Sequence, residues 1–184
     1  LSFTSGSYSQ NIDLSGSFNT KQVYYTGISK SLYTDKRFNY AEWTLTATNQ
    51  QLRARQNIYP RFAQSVIMRY RHILNKYSAY QFLVDGSLYL PGIFTNHSLV
   101  LQASYQQRDT MQQYAFSNSF PFSRGYSNLD YPRMWKLGAN YHFPLLYPDV
   151  GYGNIIYLLR MRANVFFDYS NTKSLRSGRE FSFR

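Results

Sequence analysis

The residues best able to do chemistry give little to build on. His72, His97 and His142 stand far apart in the chain, and no His-Glu-x-x-His metal motif, Gly-x-Ser-x-Gly nucleophile turn, phosphate-binding loop or dinucleotide fingerprint occurs. Without a cysteine there is no thiolate nucleophile, disulfide framework or zinc–thiolate site. The chain therefore reads as a non-enzyme with no catalytic residue, metal site or cofactor. His142 falls on the polar side of its segment and His97 on the apolar side near a segment end, each placed as a hydrogen-bonded structural histidine. The stretch that does make a chemical demand is "LLRMRANVFFDYS", residues 158–170. Arg160, Arg162, Asn164 and Asp168 share one side of it, while the other side is apolar. Charges so placed require water or partners.

The element that positions them is a strand of period two, and the same period recurs along the chain. In "AYQFLVDGSLYL" Tyr80, Phe82, Val84, Leu88 and Leu90 oppose Gln81, Asp85 and Ser87. In "NHSLVLQASYQQ" Leu99, Leu101, Ala103 and Tyr105 oppose Ser98, Gln102, Ser104 and Gln106, with Val100 the exception. Trp135, Leu137, Ala139, Tyr141 and Phe143 oppose Lys136, Gly138, Asn140 and His142. Earlier, Trp43 and Leu45 alternate with Glu42, Thr44 and Thr46, and Ile12, Leu14 and Phe18 with Asn11, Asp13, Ser15 and Ser17. The pattern predicts about eight strands, near 10–19, 21–33, 39–49, 63–73, 79–90, 96–107, 134–145 and 155–169, each near the length of about 9–11 residues of a tilted membrane strand. Turn residues punctuate them at "TDKRFN", "LPGIFTN" and "YPDVGYGN". The connection over about 108–133 is far longer than a compact domain leaves unstructured, and reads as a functional loop or as disorder.

Composition separates a membrane barrel from a soluble sandwich. At 184 residues the chain fits one domain, 1–184. Hydrophobic residues make up 43% but include 19 Tyr and 14 Phe, and mean hydropathy is −0.47. No apolar run of about 18 residues exists to form a membrane helix, whereas barrel strands are only half apolar. The net charge of +11 comes from scattered Lys and Arg, with "RYRHILNK" at 69–76 the nearest cluster, so nucleic acid is not expected as a partner. Scattered positive charge suits a lumen or anionic lipid head groups. The strands are long, and their polar sides are rich in Gln, Asn, Ser and Thr rather than charge. Aromatic residues collect near strand ends, at Tyr80 and Tyr89, Trp135 and Phe143, and Tyr157, Phe167 and Tyr169, as in the interfacial girdles of membrane barrels. The fold class expected is all-β, an antiparallel transmembrane β-barrel; a soluble basic β-sandwich binding module is the competing reading.

"SRGYSN" (123–128), followed by "LGANYHFPLLYPD" (137–149) and "RANVFFDYSN" (162–171), resembles the C-terminal barrel of the BamA-like assembly and two-partner-secretion superfamily, also called the bacterial surface antigen family. The resemblance covers about residues 96–169; Ser123 and Tyr169 stand where that family often has a small aliphatic residue and a glycine. It implies that Arg124, Gly125 and Tyr126 form a motif on a long loop folded back into the lumen. It further implies that Phe143 and Pro144 end the next strand and that Phe166, Phe167 and Asp168 form the motif of the strand after it. From the residues alone, Arg124 is a solvated loop arginine and Asp168 pairs with Arg160 or Arg162; the resemblance instead implies an Arg124–Asp168 contact in the lumen, a bidentate pairing suited to a reduced dielectric.

The chain then represents a partial segment, about eight strands, of a barrel of about 16. "SGREFSFR" reads as the opening of a further strand, and "LSFTSGSYSQ" lacks the basic flank and apolar run of an export signal, which is expected to be removed or to lie elsewhere. The resemblance implies a bacterial outer-membrane protein that inserts or secretes other polypeptides, with outer-membrane lipid, unfolded client polypeptides and periplasmic accessory proteins as partners. A passive pore or structural barrel is the alternative.

Overall fold

Period-two alternation is realised as one antiparallel meander in the computed structural model, which describes residues 1–27, 30, 36–52, 59–75, 79–109, 115–126, 131–153, 156–173 and 180–183. Strands β1 (Ser2–Ser5), β2 (Tyr8–Val23), β3 (Lys36–Gln51), β4 (Ala63–Ile73), β5 (Tyr80–Pro91), β6 (Ser98–Arg108) and β7 (Arg133–Leu146) follow one another. A small hairpin, β8 (Val150–Tyr152) and β9 (Ile156–Leu158), stands apart before β10 (Met161–Lys173) and β11 (Glu180–Phe183) complete the sheet. The large sheet has nine strands in the order β1-β2-β3-β4-β5-β6-β7-β10-β11, each antiparallel to its neighbours. It is open: β1 and β11 lie at its two edges.

The registers align polar with polar across the whole sheet. Residues directly opposite in an antiparallel pair share a face. Ser17–Glu42–Arg71–Gln81–Arg108 forms one such row, and Gln102–Gly138–Asp168 another. The opposite face carries Gly16–Trp43–Tyr70–Phe82 and Leu88–Leu101–Ala139–Phe167. A slip of one residue at any pair would reverse a strand's faces, so the alternation itself fixes the register. Val100 sits on the polar face, opposite Tyr89 and Asn140.

Burial is inverted relative to a water-soluble sheet. Gln81, Ser104, Gln106, Lys136, Asn140, Asp168, Ser170 and Thr172 are buried on the polar face, while Leu14, Trp43, Leu101, Leu137, Val165 and Phe167 are exposed on the apolar one. The core therefore lies between the polar face and residues 115–126, which cross it. Two apolar clusters seal that contact. Phe116 packs with Phe38, Ile73 and Ala79, and Phe120 packs with Leu83 and Met134.

Several strand boundaries differ from the sequence reading. No separate strand forms over 21–33 among the described residues: Lys21–Val23 end β2, because nothing near Thr20 turns the chain, and the first bend comes at Gly27, whose φ is +62°. Residues 28, 29 and 31–35 lie outside the described set, as do parts of the "TDKRFN" and "YPDVGYGN" turns. The strand predicted over 155–169 is divided into β9 and β10. Phe143 and Pro144 do not end β7, which runs to Leu146. Proline has no N–H for the ladder, and the register shifts opposite it, with Arg162 facing Pro144 and Met161 facing Leu146. Tyr89 does not join an outer girdle; parity puts it on the polar face, where its ring lies 5.5 Å from that of Tyr59.

Candidate functional site: a loop clasped to the polar face

The long connection leaves β6 at Arg108 and returns at Arg133, and its described part is held by side chains of the sheet. Arg108, 3% exposed, donates from Nη1 to the Phe116 carbonyl at 3.0 Å and from Nε to the Tyr131 carbonyl at 3.3 Å, so one guanidinium ties both limbs. Gln81 Nε2 donates to the Ser117 carbonyl at 3.2 Å, and Gln106 Nε2 to Asn118 Oδ1 at 2.9 Å. Behind them Arg71 donates to Glu42 at 2.8 Å and to Gln81 Oε1 at 3.1 Å, which extends the network across three strands. Buried polar groups are costly without partners, and here the loop supplies them from its backbone carbonyls and the Asn118 side chain.

Arg124 is the end point of this path. Its Nε donates to Asp168 Oδ2 at 2.8 Å, its Nη2 to Asp168 Oδ1 at 3.2 Å, and its backbone N–H to Asp168 Oδ2 at 3.2 Å. The same Nη2 donates to Asn140 Oδ1, and the guanidinium lies 3.7 Å from the centroid of the Phe166 ring. Both carboxylate oxygens are thus engaged, the geometry in which an arginine–carboxylate pair gives direction as well as attraction. Lys136 sits 3.7 Å from Asp168 Oδ2 and donates to the Phe122 carbonyl at 3.3 Å. Ser123, just before Arg124, bonds Ser170 on β10.

Two glycines make room. Gly125 has φ +87°, a conformation that side chains resist, and it turns the chain immediately after the clasp. Gly138 faces Asp168 across the β7–β10 ladder, and a Cβ there would lie 2.9 Å from Asp168 Oδ1. The carboxylate lies in the space a side chain would fill.

The structure thus brings together Arg124, Asp168 and Phe166. Phe167 points to the opposite, apolar face. Tyr126 is 44% exposed beyond the clasp. Arg162 shares Asp168's face but is six residues along β10, roughly 20 Å at the rise of a strand, and Arg160 precedes β10. Neither reaches Asp168; the second cation beside it is Lys136. Phe143 and Pro144 lie at the far end of β7, and Phe143 stacks on His97, whose Nδ1 is 2.8 Å from the Tyr141 hydroxyl.

Sequence reasoning did not find Lys136, Gly138, Asn140, Arg108 or the Glu42–Arg71 pair as site residues. Polar-face parity marked several of them, but only the path of the loop decides which are covered. Below the clasp an open cavity of about 390 Å³ is bounded by Tyr59, Tyr89, Gln102, Arg124, Asn140 and His142, among others. No group of three His, Asp or Glu side chains converges as metal ligands among the described residues.

These features define an all-β protein whose one large antiparallel sheet carries a polar face under a clasped loop and an apolar face turned outward. No family model matches the chain, nor does any curated protein or solved structure.

Proposed function

We propose that the chain forms part of the wall of a bacterial outer-membrane β-barrel of the BamA-like assembly and secretion type. In this reading the apolar face meets lipid, the polar face lines a lumen, and the loop clasped at Asp168 braces that lumen while polypeptides are inserted or secreted. One observation carries the membrane half: the face bearing Gln106, Lys136 and Asp168 is buried, and the face bearing Leu101, Leu137 and Phe167 is bare. An apolar face that extends over strands β2–β10 is far larger than a monomeric soluble protein normally exposes.

The dimensions agree with a bilayer. Trp135, packed 5.3 Å from Tyr169, marks one aromatic level on the outer face, and Tyr141 and Phe143 with His97 mark the other. Trp135 and Phe143 are about 26 Å apart along β7 at the rise of a strand. Tilted by about 40°, this projects to about 20 Å, comparable with the apolar band of about 25 Å of such barrels. The polypeptide-handling half rests on the resemblance of "SRGYSN" and "NVFFDYS" to the superfamily and on the meeting of Arg124 with Asp168.

Spin labels on single cysteines at Leu101, Leu137 and Val165 test the first half in reconstituted bilayers. Collisions with oxygen from the acyl chains are expected, and labels at Thr46 and Gln102 should meet water instead. Bulk solvent at all five positions, with salt-sensitive binding of polyanions, would establish the soluble basic module. A photocrosslinker at Thr46 tests the second half: an adduct with a polypeptide in transit supports assembly or secretion, and ion conductance without any adduct supports a passive pore.

A further inference from the structure

The open cavity below the clasp is bordered by donors that no described residue accepts from. Arg124 uses its Nε, Nη2 and backbone N–H on Asp168 and Asn140, and its Nη1 has no acceptor among the described residues. Gln102, His142 and Asn164 border the same space, and their side chains make no hydrogen bond among those residues either. Arg162 stands beside them. Asn164 faces His142 in the β7–β10 ladder, and Arg162, two residues before Asn164, shares their face and lies within reach of His142 across the diagonal. Its charge acts on His142 and on Tyr59, and it forms no ion pair among the described residues.

No Asp or Glu side chain borders this cavity among the described residues. Asp168, close by, is 6% exposed and turned to Arg124 and Lys136. Arg124, Lys136 and Arg162 thus stand against a single negative charge, and the positive surplus faces open space.

We infer that the cavity binds a small organic carboxylate, held by Arg162, His142 and the free edge of Arg124, with an apolar or aromatic body against Tyr59. Such a site needs only the polar face and does not depend on what the apolar face meets, so it goes beyond the function proposed above.

The shape and chemistry of the cavity select an organic carboxylate over a bare ion. Part of its boundary is aromatic: the Tyr59 ring lies 4.9 Å from that of His142 and 5.5 Å from that of Tyr89, and Val100 faces Tyr89 across the β5–β6 ladder. Flat guanidinium edges and side-chain amides match a planar carboxylate. The volume of about 390 Å³ is that of a small-ligand site, many times the roughly 30 Å³ of a water molecule.

The test titrates para-fluorobenzoate into the full protein in an uncharged detergent, followed by fluorine NMR, with para-fluorobenzamide as the uncharged counterpart and sodium phosphate as a competing ion. Saturable binding of the benzoate is expected, about tenfold tighter than the benzamide. Arg162→Gln should weaken it about tenfold, and Tyr59→Leu several-fold. Arg37→Gln makes the same charge change at an exposed residue on β3 and should bind as the parent does. Asn164→Ala keeps every charge and should weaken binding several-fold, which decides the matter if Arg162→Gln raises loop cleavage and so disturbs the fold. Absence of saturable binding, or equal binding of benzoate and benzamide, overturns the site. Phosphate that competes as well as unlabelled benzoate overturns the organic class in favour of a bare ion. Equal losses in Arg162→Gln and Arg37→Gln, or parent binding in both Arg162→Gln and Asn164→Ala, overturn it in favour of a general attraction to a positive surface.

Discussion

The two halves of the sheet use one alternation and differ in what covers it. On β2 the polar face offers Asn11, Asp13, Ser15 and Ser17, all exposed, and on β3 the row of Thr44, Thr46 and Thr48 is half-buried. From β5 to β10 the same face offers Gln81, Gln106, Lys136 and Asp168, all buried under residues 115–126. Small hydroxyls and amides suffice where water completes their hydrogen bonds. Where the loop excludes water, Gln81 and Lys136 reach its backbone carbonyls, and Gln106 and Asp168 meet its side chains at Asn118 and Arg124. The difference shows that the loop, rather than the strands, decides which polar residues carry the structure.

The sharpest way to break the comparison is to open the clasp. Breaking a buried pair from one side costs about 3–5 kcal/mol, and the lower end applies here because the Arg124 side chain is 41% exposed. Asp168→Ala should therefore raise protease cleavage within 115–126 by roughly a hundredfold, and Arg124→Ala should do nearly the same. The double variant should add little, with a coupling of about 2 kcal/mol. Cleavage of the covered half at the parent rate in both single variants would show that the Phe116 and Phe120 clusters hold the loop alone. Asp13→Ala, on the bare half, serves as the reference and should change nothing.

Much of the sheet was legible because period two is a direct geometric consequence of the pleat. Trp43, Leu101 and Phe167 on one face and Glu42, Gln102 and Asp168 on the other follow from counting. Lengths were less legible. Nothing local says that Lys21 continues β2, and the effect of Pro144 depends on the partner strand. The clasp was legible only as a motif, since Arg124 and Asp168 are 44 residues apart and no local physics joins them. Lys136 and Gly138 were invisible as site residues because their roles exist only once the carboxylate of Asp168 is laid across β7.

A glycine on each half offers a gentler test. At Gly138 an added Cβ meets Asp168 Oδ1 at 2.9 Å, so Gly138→Ala must displace the carboxylate or the strand, at about 1–3 kcal/mol. At Gly16 the nearest atom would be Trp43 Cδ1 at 3.6 Å, ordinary contact. Gly16→Ala should be neutral or stabilise β2 by about 0.5 kcal/mol, since glycine weakens a strand interior. Loop cleavage should rise several-fold in Gly138→Ala and not at all in Gly16→Ala. In an Asp168→Ala background the Gly138 effect should vanish, because the atom it collides with is gone.

The smallest effect separates two adjacent phenylalanines. Phe166 and Phe167 are chemically identical, yet the pleat sends one under the Arg124 guanidinium at 3.7 Å and the other to the bare outer face. A cation over an aromatic ring contributes about 0.5–1 kcal/mol at a partly exposed site. Phe166→Leu keeps an apolar side chain but removes the quadrupole, so cleavage within 115–126 should rise about threefold, and Arg124→Ala should abolish that increment. Phe167→Leu should leave loop cleavage at the parent rate. Equal effects from the two substitutions would mean that strand stability, not the ring beneath Arg124, sets the opening of the loop.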